Sequence, residues 1–258
     1  DDIAVGSYSA DENGPLSGAV YIFHGPVVGN INLAFANAKL TGESAGNYAG
    51  SSVDGVGDIN RDGYADIIVG AHGAEGQGVE SGVAYIVFGP IEGERSLATA
   101  DVRLEGESAY DSAGVSVAGI GDINHDGYPD VAIGAPGNDS GALDAGATYI
   151  FRGPLMGTRS MASADAIVVG ESAEEAAGSV IDGTDVNDDG YADLLIGAPG
   201  SNRGGDASGA AYLFRGPLAG VRSVALADAV FVGEAPGDEA GTALAFAGDV
   251  DADGVGDL

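Results

Sequence analysis

Residues 122–136 read Asp122-Ile-Asn124-His-Asp126-Gly127-Tyr128-Pro-Asp130-Val-Ala-Ile133-Gly134-Ala135-Pro136. The first nine place oxygen-bearing side chains at positions 1, 3, 5 and 9, with glycine at position 6. This is the spacing by which a loop wraps a hard divalent cation: alternate residues turn their oxygens inward, and glycine permits the sharp bend. A backbone carbonyl at position 7 completes a shell that suits Ca²⁺ better than the smaller, octahedral Mg²⁺. The pattern recurs as Asp58, Asn60, Asp62, Tyr64, Asp66; as Asp122, Asn124, Asp126, Tyr128, Asp130; as Asp185, Asn187, Asp189, Tyr191, Asp193; and as Asp249, Asp251, Asp253, Val255, Asp257. From first Asp to first Asp the steps are 64, 63 and 64 residues.

An EF-hand shares the first half of this loop but needs a bidentate Glu at position 12. Here that position is Val69, Ile133 or Ile196. The short apolar runs that follow, such as Val131-Ala-Ile133 and Leu194-Leu-Ile196, stop at Gly-Ala and read as buried strands rather than helices. The cation loop therefore joins two strands.

The repeat extends beyond the loop. In the third unit, strand one is Gly114 to Gly119, strand two follows from Asp130, strand three lies within Gly146 to Pro154, and strand four lies near Ala166 to Val169. Strand three recurs as Ala19-Val-Tyr-Ile-Phe-His-Gly-Pro26, Val83-Ala-Tyr-Ile-Val-Phe-Gly-Pro90, Ala147-Thr-Tyr-Ile-Phe-Arg-Gly-Pro154 and Ala210-Ala-Tyr-Leu-Phe-Arg-Gly-Pro217. A Gly-Glu step recurs at Glu43, Glu107, Glu171 and Glu234. Helical periodicity is weak and confined to stretches before strand four, such as Ser96 to Ala100. Four short strands per period of about 64 residues describe one antiparallel sheet that cannot bury both faces alone. Radial stacking of such sheets predicts an all-β fold, a β-propeller of four-stranded antiparallel blades, about four in this chain. Residues 1–258 form one region with units at about 1–48, 49–112, 113–176, 177–239 and a partial 240–258.

These units resemble FG-GAP repeats, the blades of the integrin alpha-subunit N-terminal propeller and its bacterial relatives. The residues that carry the resemblance are the Phe-Gly-Pro or Phe-Arg-Gly-Pro ends of strand three, Ile133-Gly-Ala-Pro136, Ile196-Gly-Ala-Pro199, and the acidic loops between strands one and two, where the family carries Ca²⁺. Val69-Gly-Ala-His72 lacks the proline, and Val5-Gly-Ser-Tyr8 has Ser and Tyr in place of Ala and Pro. Asp2 aligns with Asp66, so the first unit holds strands two to four and the last holds strand one. Either the ends meet in a closed four-blade ring, or the chain is a partial arc of a larger ring. The resemblance favours the arc, because the family's usual ring is wider.

Composition narrows the function. Formal net charge is −31, and four bound Ca²⁺ would bring it only to −23. Such a surface excludes nucleic acid and anionic membranes as partners. No stretch is long and apolar enough for a transmembrane segment, and with no Cys the fold holds no disulfides. Low-affinity Ca²⁺ loops belong in a calcium-rich compartment, so the expected location is extracellular or the cell surface. The resulting expectation is a non-catalytic, calcium-stabilised extracellular binding or adhesion module, with three complete Ca²⁺ sites and a fourth at the C-terminal loop. Its protein or glycan ligand would meet the loops at 9–17, 73–81, 137–145 and 200–208, or those at 44–48, 108–112, 172–176 and 235–239. The alternative is a building block of an extracellular fibre or surface layer, self-associating through exposed blade edges. A propeller-type hydrolase finds no nucleophile elbow or HExxH pattern, and a lectin finds no Trp.

Overall fold

A computed structural model describes residues 2–251 and 256–257. Its strands fall into four sheets of four or five strands each. The second sheet shows the plan. Its inner strand Ser52–Gly57 pairs antiparallel with Asp66–Ala71, which pairs with Val83–Val87, which pairs with Val102–Glu105. The third sheet repeats this with Ser116–Gly121, Asp130–Ala135, Ala147–Phe151 and Ala166–Val169. The fourth does so with Val180–Thr184, Asp193–Ala198, Ala210–Phe214 and Ala229–Val232. The first sheet holds Ile3–Ser7, Ala19–Phe23 and Ala38–Thr41. The expected strand order is therefore present in the four sheets, whereas strand one expected in the last unit does not form among the described residues, where only an isolated bridge joins Gly248 and Asp257; the chain is an all-β propeller of stacked blades.

The sheets are not purely antiparallel. In the second to fourth units the connection before strand four lays down a further short strand on the outer edge of the preceding sheet, parallel to its neighbour. Gly93–Ser96 pairs with Ala38–Thr41, Gly157–Ser160 with Val102–Glu105, and Gly220–Ser223 with Ala166–Val169. Sequence alone misses this strand, because Gly-Glu-Arg-Ser and Gly-Thr-Arg-Ser are polar and lack the apolar alternation of a buried strand. The exposed edge of one blade is thus capped by the next unit, which removes an open ladder. The weakly helical stretches become single 3₁₀ turns, including Leu97–Thr99 and Met161–Ser163, each capped by a Ser Oγ that accepts from the second turn residue.

The irregular step of 63 residues has a local cause. Gly57 and Gly121 each close a register shift at the end of the inner strand, with φ of 71° and 78°. The fourth sheet pairs Thr184 with Asp193 and Gly183 with Leu194 without any shift. One bulge residue is missing there, and the repeat is one residue shorter.

Blades approach through glycine. A Cβ on Gly6, Gly70, Gly134 or Gly197, in the second strand of each unit, would lie 2.1, 2.0, 1.9 or 2.2 Å from the carbonyl oxygen of Gly50, Gly114, Gly178 or Gly241 at the start of the next. The receiving glycines have φ of 82–89°, the left-handed region. Around these contacts lie apolar cores between sheets one and two (Val20, Leu40, Tyr85), two and three (Leu104, Ile133, Tyr149), and three and four (Val168, Ile196, Tyr212). Among the described residues no core joins the fourth sheet to the first. At equivalent register positions Leu40 and Leu104 are 0% exposed and Val168 1%, whereas Phe231 is 47% exposed.

Two substitutions test this packing. Gly134→Ala drives a methyl into the Gly178 carbonyl and should cost at least about 1–3 kcal/mol, read as a shift in urea midpoint. Leu104→Ala should cost about 2–5 kcal/mol, while Phe231→Ala, on an uncovered face, should cost under about 1 kcal/mol.

Candidate metal centre

The first three acidic loops lie at one end of the blades, between inner and second strands. Their first eight residues form turns, and the ninth opens the second strand: Asp66, Asp130 and Asp193 begin Asp66–Ala71, Asp130–Ala135 and Asp193–Ala198. The position-six glycines, Gly63, Gly127 and Gly190, have φ of 95°, 86° and 86°, which explains the demand for glycine there.

Within loop two, Asp122 Oδ1 accepts from the Asp126 N–H at 3.0 Å and its Oδ2 from the Gly127 N–H at 2.6 Å. Asn124 Oδ1 accepts from the same Asp126 N–H at 3.2 Å, and Asp126 Oδ1 from the Tyr128 N–H at 2.9 Å. The corresponding bonds recur in loop one, through Asp58, Asn60 and Asp62, and in loop three, through Asp185, Asn187 and Asp189. The oxygens of positions 1, 3 and 5 are therefore drawn inward by the turn's own N–H groups. In loop four, Asp249, Asp251 and Asp257 each bring a ligand atom to within 4.8 Å of the others. Asp253 and Val255 lie outside the described residues.

Position nine plays a second part that the spacing alone conceals. Asp130 is fully buried; its Oδ2 accepts from the Ile123 N–H at 2.8 Å and its Oδ1 from the Gly153 N–H at 2.8 Å. Asp66 makes the same pair of bonds to Ile59 and Gly89, and Asp193 to Val186 and Gly216. Even Asp2 accepts from the Gly25 N–H. This acid ties the loop to the Gly-Pro end of strand three, which accounts for the co-occurrence of those two motifs. Each oxygen keeps a second lone pair for a cation. Burial pushes the Asp130 carboxyl up to about 7, against the pull of its two N–H donors, with the Asp126 and Asp122 charges adding to the rise. Burial likewise raises Asp66 and Asp193. A dication between such acids would offset both the burial and the mutual repulsion. All-oxygen donors and a glycine-dependent turn fit Ca²⁺ in loops one to three, and among the described residues it is in loop four that three acids come within 4.8 Å of one another.

Loop position four reaches the neighbouring loop. Arg61, His125 and Asp188 have φ of 60°, 58° and 55°, so their side chains leave the turn sideways. The Arg61 guanidinium lies 3.8 Å from the centroid of the Tyr128 ring and donates to the Gly127 carbonyl of the next loop. His125 Nδ1 donates to the Gly190 carbonyl at 2.5 Å, with its ring 5.4 Å from that of Tyr191. No spacing rule marks these residues, because their partners lie 65 or 66 residues away.

At the opposite end, the two sets of candidate ligand loops meet. Tyr48 N–H donates to the Leu16 carbonyl, Tyr110 to Val79, Glu174 to Leu143 and Glu239 to Ala207. There Tyr48 stacks on His72 at 5.0 Å, with Tyr8 beside it at 6.4 Å. The departures at Tyr8 and His72 from the proline pattern thus fall together in space. Acids on this side are engaged as blade latches: Glu43 with Arg103 at 2.5 Å, Asn138 with both Asp111 and the Tyr149 hydroxyl, and Tyr212 donating to Glu175 at 2.5 Å. Burial raises the phenols of Tyr85, Tyr149 and Tyr212, so all three stay protonated at neutral pH. No helix among the described residues is long and apolar enough to cross a membrane.

Comparison with known proteins places these observations. The FG-GAP repeat model matches residues 49–87, 113–151 and 177–214. Human integrin alpha-IIb is 34% identical over 171 residues, 64% of this chain and 16% of its own length. Integrin alpha-PS5 of Drosophila melanogaster is 34% identical over 209 residues, 77% of this chain and 18% of its own. Integrin alpha-5 of Xenopus laevis is 32% identical over 172 residues. The chain spans about a sixth of the length of these relatives.

The position-nine acid is testable without metal. In chelator, Asp130→Ala should destabilise the fold by about 2–4 kcal/mol, because the Ile123 and Gly153 N–H groups lose their acceptor in a buried site. Thermal or urea unfolding reads this directly.

Proposed function

The chain is an FG-GAP repeat protein similar to the integrin alpha subunits, and on that basis we propose that it is a calcium-stabilised, non-catalytic extracellular binding or adhesion module. The observation that carries the reading is the set of acidic loops at one end of the blades, whose oxygens at positions 1, 3 and 5 turn inward together. Asp58, Asn60, Asp62 and Asp66 would hold one Ca²⁺ with the Tyr64 carbonyl. Asp122, Asn124, Asp126 and Asp130 would hold a second with Tyr128, and Asp185, Asn187, Asp189 and Asp193 a third with Tyr191. Asp249, Asp251 and Asp257 support a fourth.

The cation's role is structural. Each loop joins two strands of a blade and is tied by its ninth residue to a third. At about millimolar Ca²⁺ and a Kd of about 0.1 mM, one site adds about 1.4 kcal/mol by mass action. Three sites add about 4 kcal/mol, a large share of an ordinary domain's stability of about 5–15 kcal/mol. The loops at the opposite end are free of this task and are the surface for a protein or glycan partner. The three histidines serve other ends: His72 stacks on Tyr48, His125 bridges two loops, and His24 lies exposed in the first unit.

Two measurements test the proposal. Calorimetric titration with Ca²⁺ should show uptake of three or four ions, and EDTA should lower Tm sharply; an unchanged melt in EDTA would sink the structural role. Asp126→Ala should abolish about a third of the calcium-dependent rise in Tm while changing the melt in EDTA little.

A further inference from the structure

We infer that the side chains at loop position four couple neighbouring cation sites, so that loop one supports binding at loop two through Arg61, and loop two supports binding at loop three through His125. The inference rests on the calcium reading above and extends it from separate sites to a directional chain of sites.

Two independent junctions carry it. At the first, Arg61 leaves loop one on a left-handed backbone, donates to the Gly127 carbonyl, and lays its guanidinium on the Tyr128 ring at 3.8 Å. At the second, His125 leaves loop two in the same backbone conformation, donates to the Gly190 carbonyl at 2.5 Å, and sets its ring beside Tyr191. In both, one side chain grips positions six and seven of the next loop. Position six is the bend, and its N–H is held by the first ligand: Gly127 N–H by Asp122, Gly190 N–H by Asp185. Position seven contributes the backbone carbonyl of the cation shell. The grip therefore holds the peptide that a cation must find in place. The two side chains differ, yet both supply an N–H donor and a flat face, which is what a carbonyl followed by a tyrosine ring accepts.

Coupling follows from the turn that sends the side chain out. Arg61 and His125 each sit between two ligands of their own loop, Asn60 and Asp62 or Asn124 and Asp126. A cation drawn to those ligands fixes the backbone between them and with it the direction of the side chain. The ordering cost of the neighbouring bend is then already met when the second cation arrives, which is positive cooperativity. The chain of grips stops at loop three, because Asp188 holds the same φ of 55° but a carboxylate has no hydrogen to donate to a carbonyl.

The test isolates one site at a time in the full chain. Asp189→Ala and Asp251→Ala silence loops three and four, leaving loops one and two, and adding Asp62→Ala leaves loop two alone. Loop two should bind Ca²⁺ at least about five-fold more weakly with loop one silenced than with loop one loaded, the lower end of ordinary coupling, and this difference should vanish in the Arg61→Ala chain. With loops one and four silenced by Asp62→Ala and Asp251→Ala, adding Asp126→Ala should weaken Ca²⁺ binding at loop three by a similar factor, a difference that His125→Ala should abolish and Arg61→Ala should leave in place. In the chain with all loops intact, the calcium isotherm should be steeper than in the Arg61→Ala, His125→Ala double variant. Equal affinities with and without Arg61 and His125, at unchanged stoichiometry, would overturn the coupling while leaving the sites. Absence of Ca²⁺ uptake by the unmodified chain would overturn the cation reading itself. A general loss of folding is separated by the melt in EDTA, whose Tm neither substitution should move by more than about 4 °C.

Discussion

The contact between paired glycine backbones at each blade junction is the constraint on which the rest depends. Gly70 against Gly114, and Gly134 against Gly178, bring one unit's second strand to the point where the next unit begins, with no room for a Cβ. At that separation the aliphatic and tyrosine side chains of facing sheets interdigitate: Leu104 with Ile133 and Tyr149, Val168 with Ile196 and Tyr212. The same separation lets Arg61 reach Tyr128, and the polar segment Gly157–Ser160 reach back to cap Val102–Glu105. A wider junction would lose cores, loop bridges and edge caps together.

The acids divide between two tasks that pull in opposite directions. Those at positions 1 and 5 are half-buried or exposed and bend their own turn. In loops one to three those at position nine are buried, accept two backbone N–H groups each, and hold a carboxyl where burial disfavours its charge. Taken alone this is an expensive arrangement. On the calcium reading a dication sharing the site would make it favourable, and the same residue would be both a strand anchor and a reason for the loop to take up metal. With only nine bases against 40 acids, the chain has little means of neutralising these clusters from within, and Arg61 is spent on the next loop rather than on its own.

Much of this was legible in the residue order. The repeat period, the four main strands of each unit, the loop between strands one and two, and its candidate ligands all follow from local chemistry: oxygen spacing, apolar runs and glycine at bends. The outer parallel strand was not, since Gly93–Ser96 and its equivalents are polar and take their strand form only from the edge they lie on. Nor was the missing bulge behind the 63-residue step, which is a matter of which residue pairs across to Asp193. The departures at Tyr8 and His72 read as separate irregularities, and only folding brings them to one patch with Tyr48.

Sequence alone therefore determined the composition of each blade and of each acidic loop, because every ligand and bend in a loop lies within nine consecutive residues. Tertiary structure alone decided what joins one unit to the next: the glycine contacts, the reach of Arg61 and His125, and the anchoring of Asp130 to Gly153. The physical reason is range. A turn's hydrogen bonds close over a few residues and leave a pattern in the chain. A contact between blades joins groups some 65 residues apart in sequence, and their pairing exists only once the sheets have stacked.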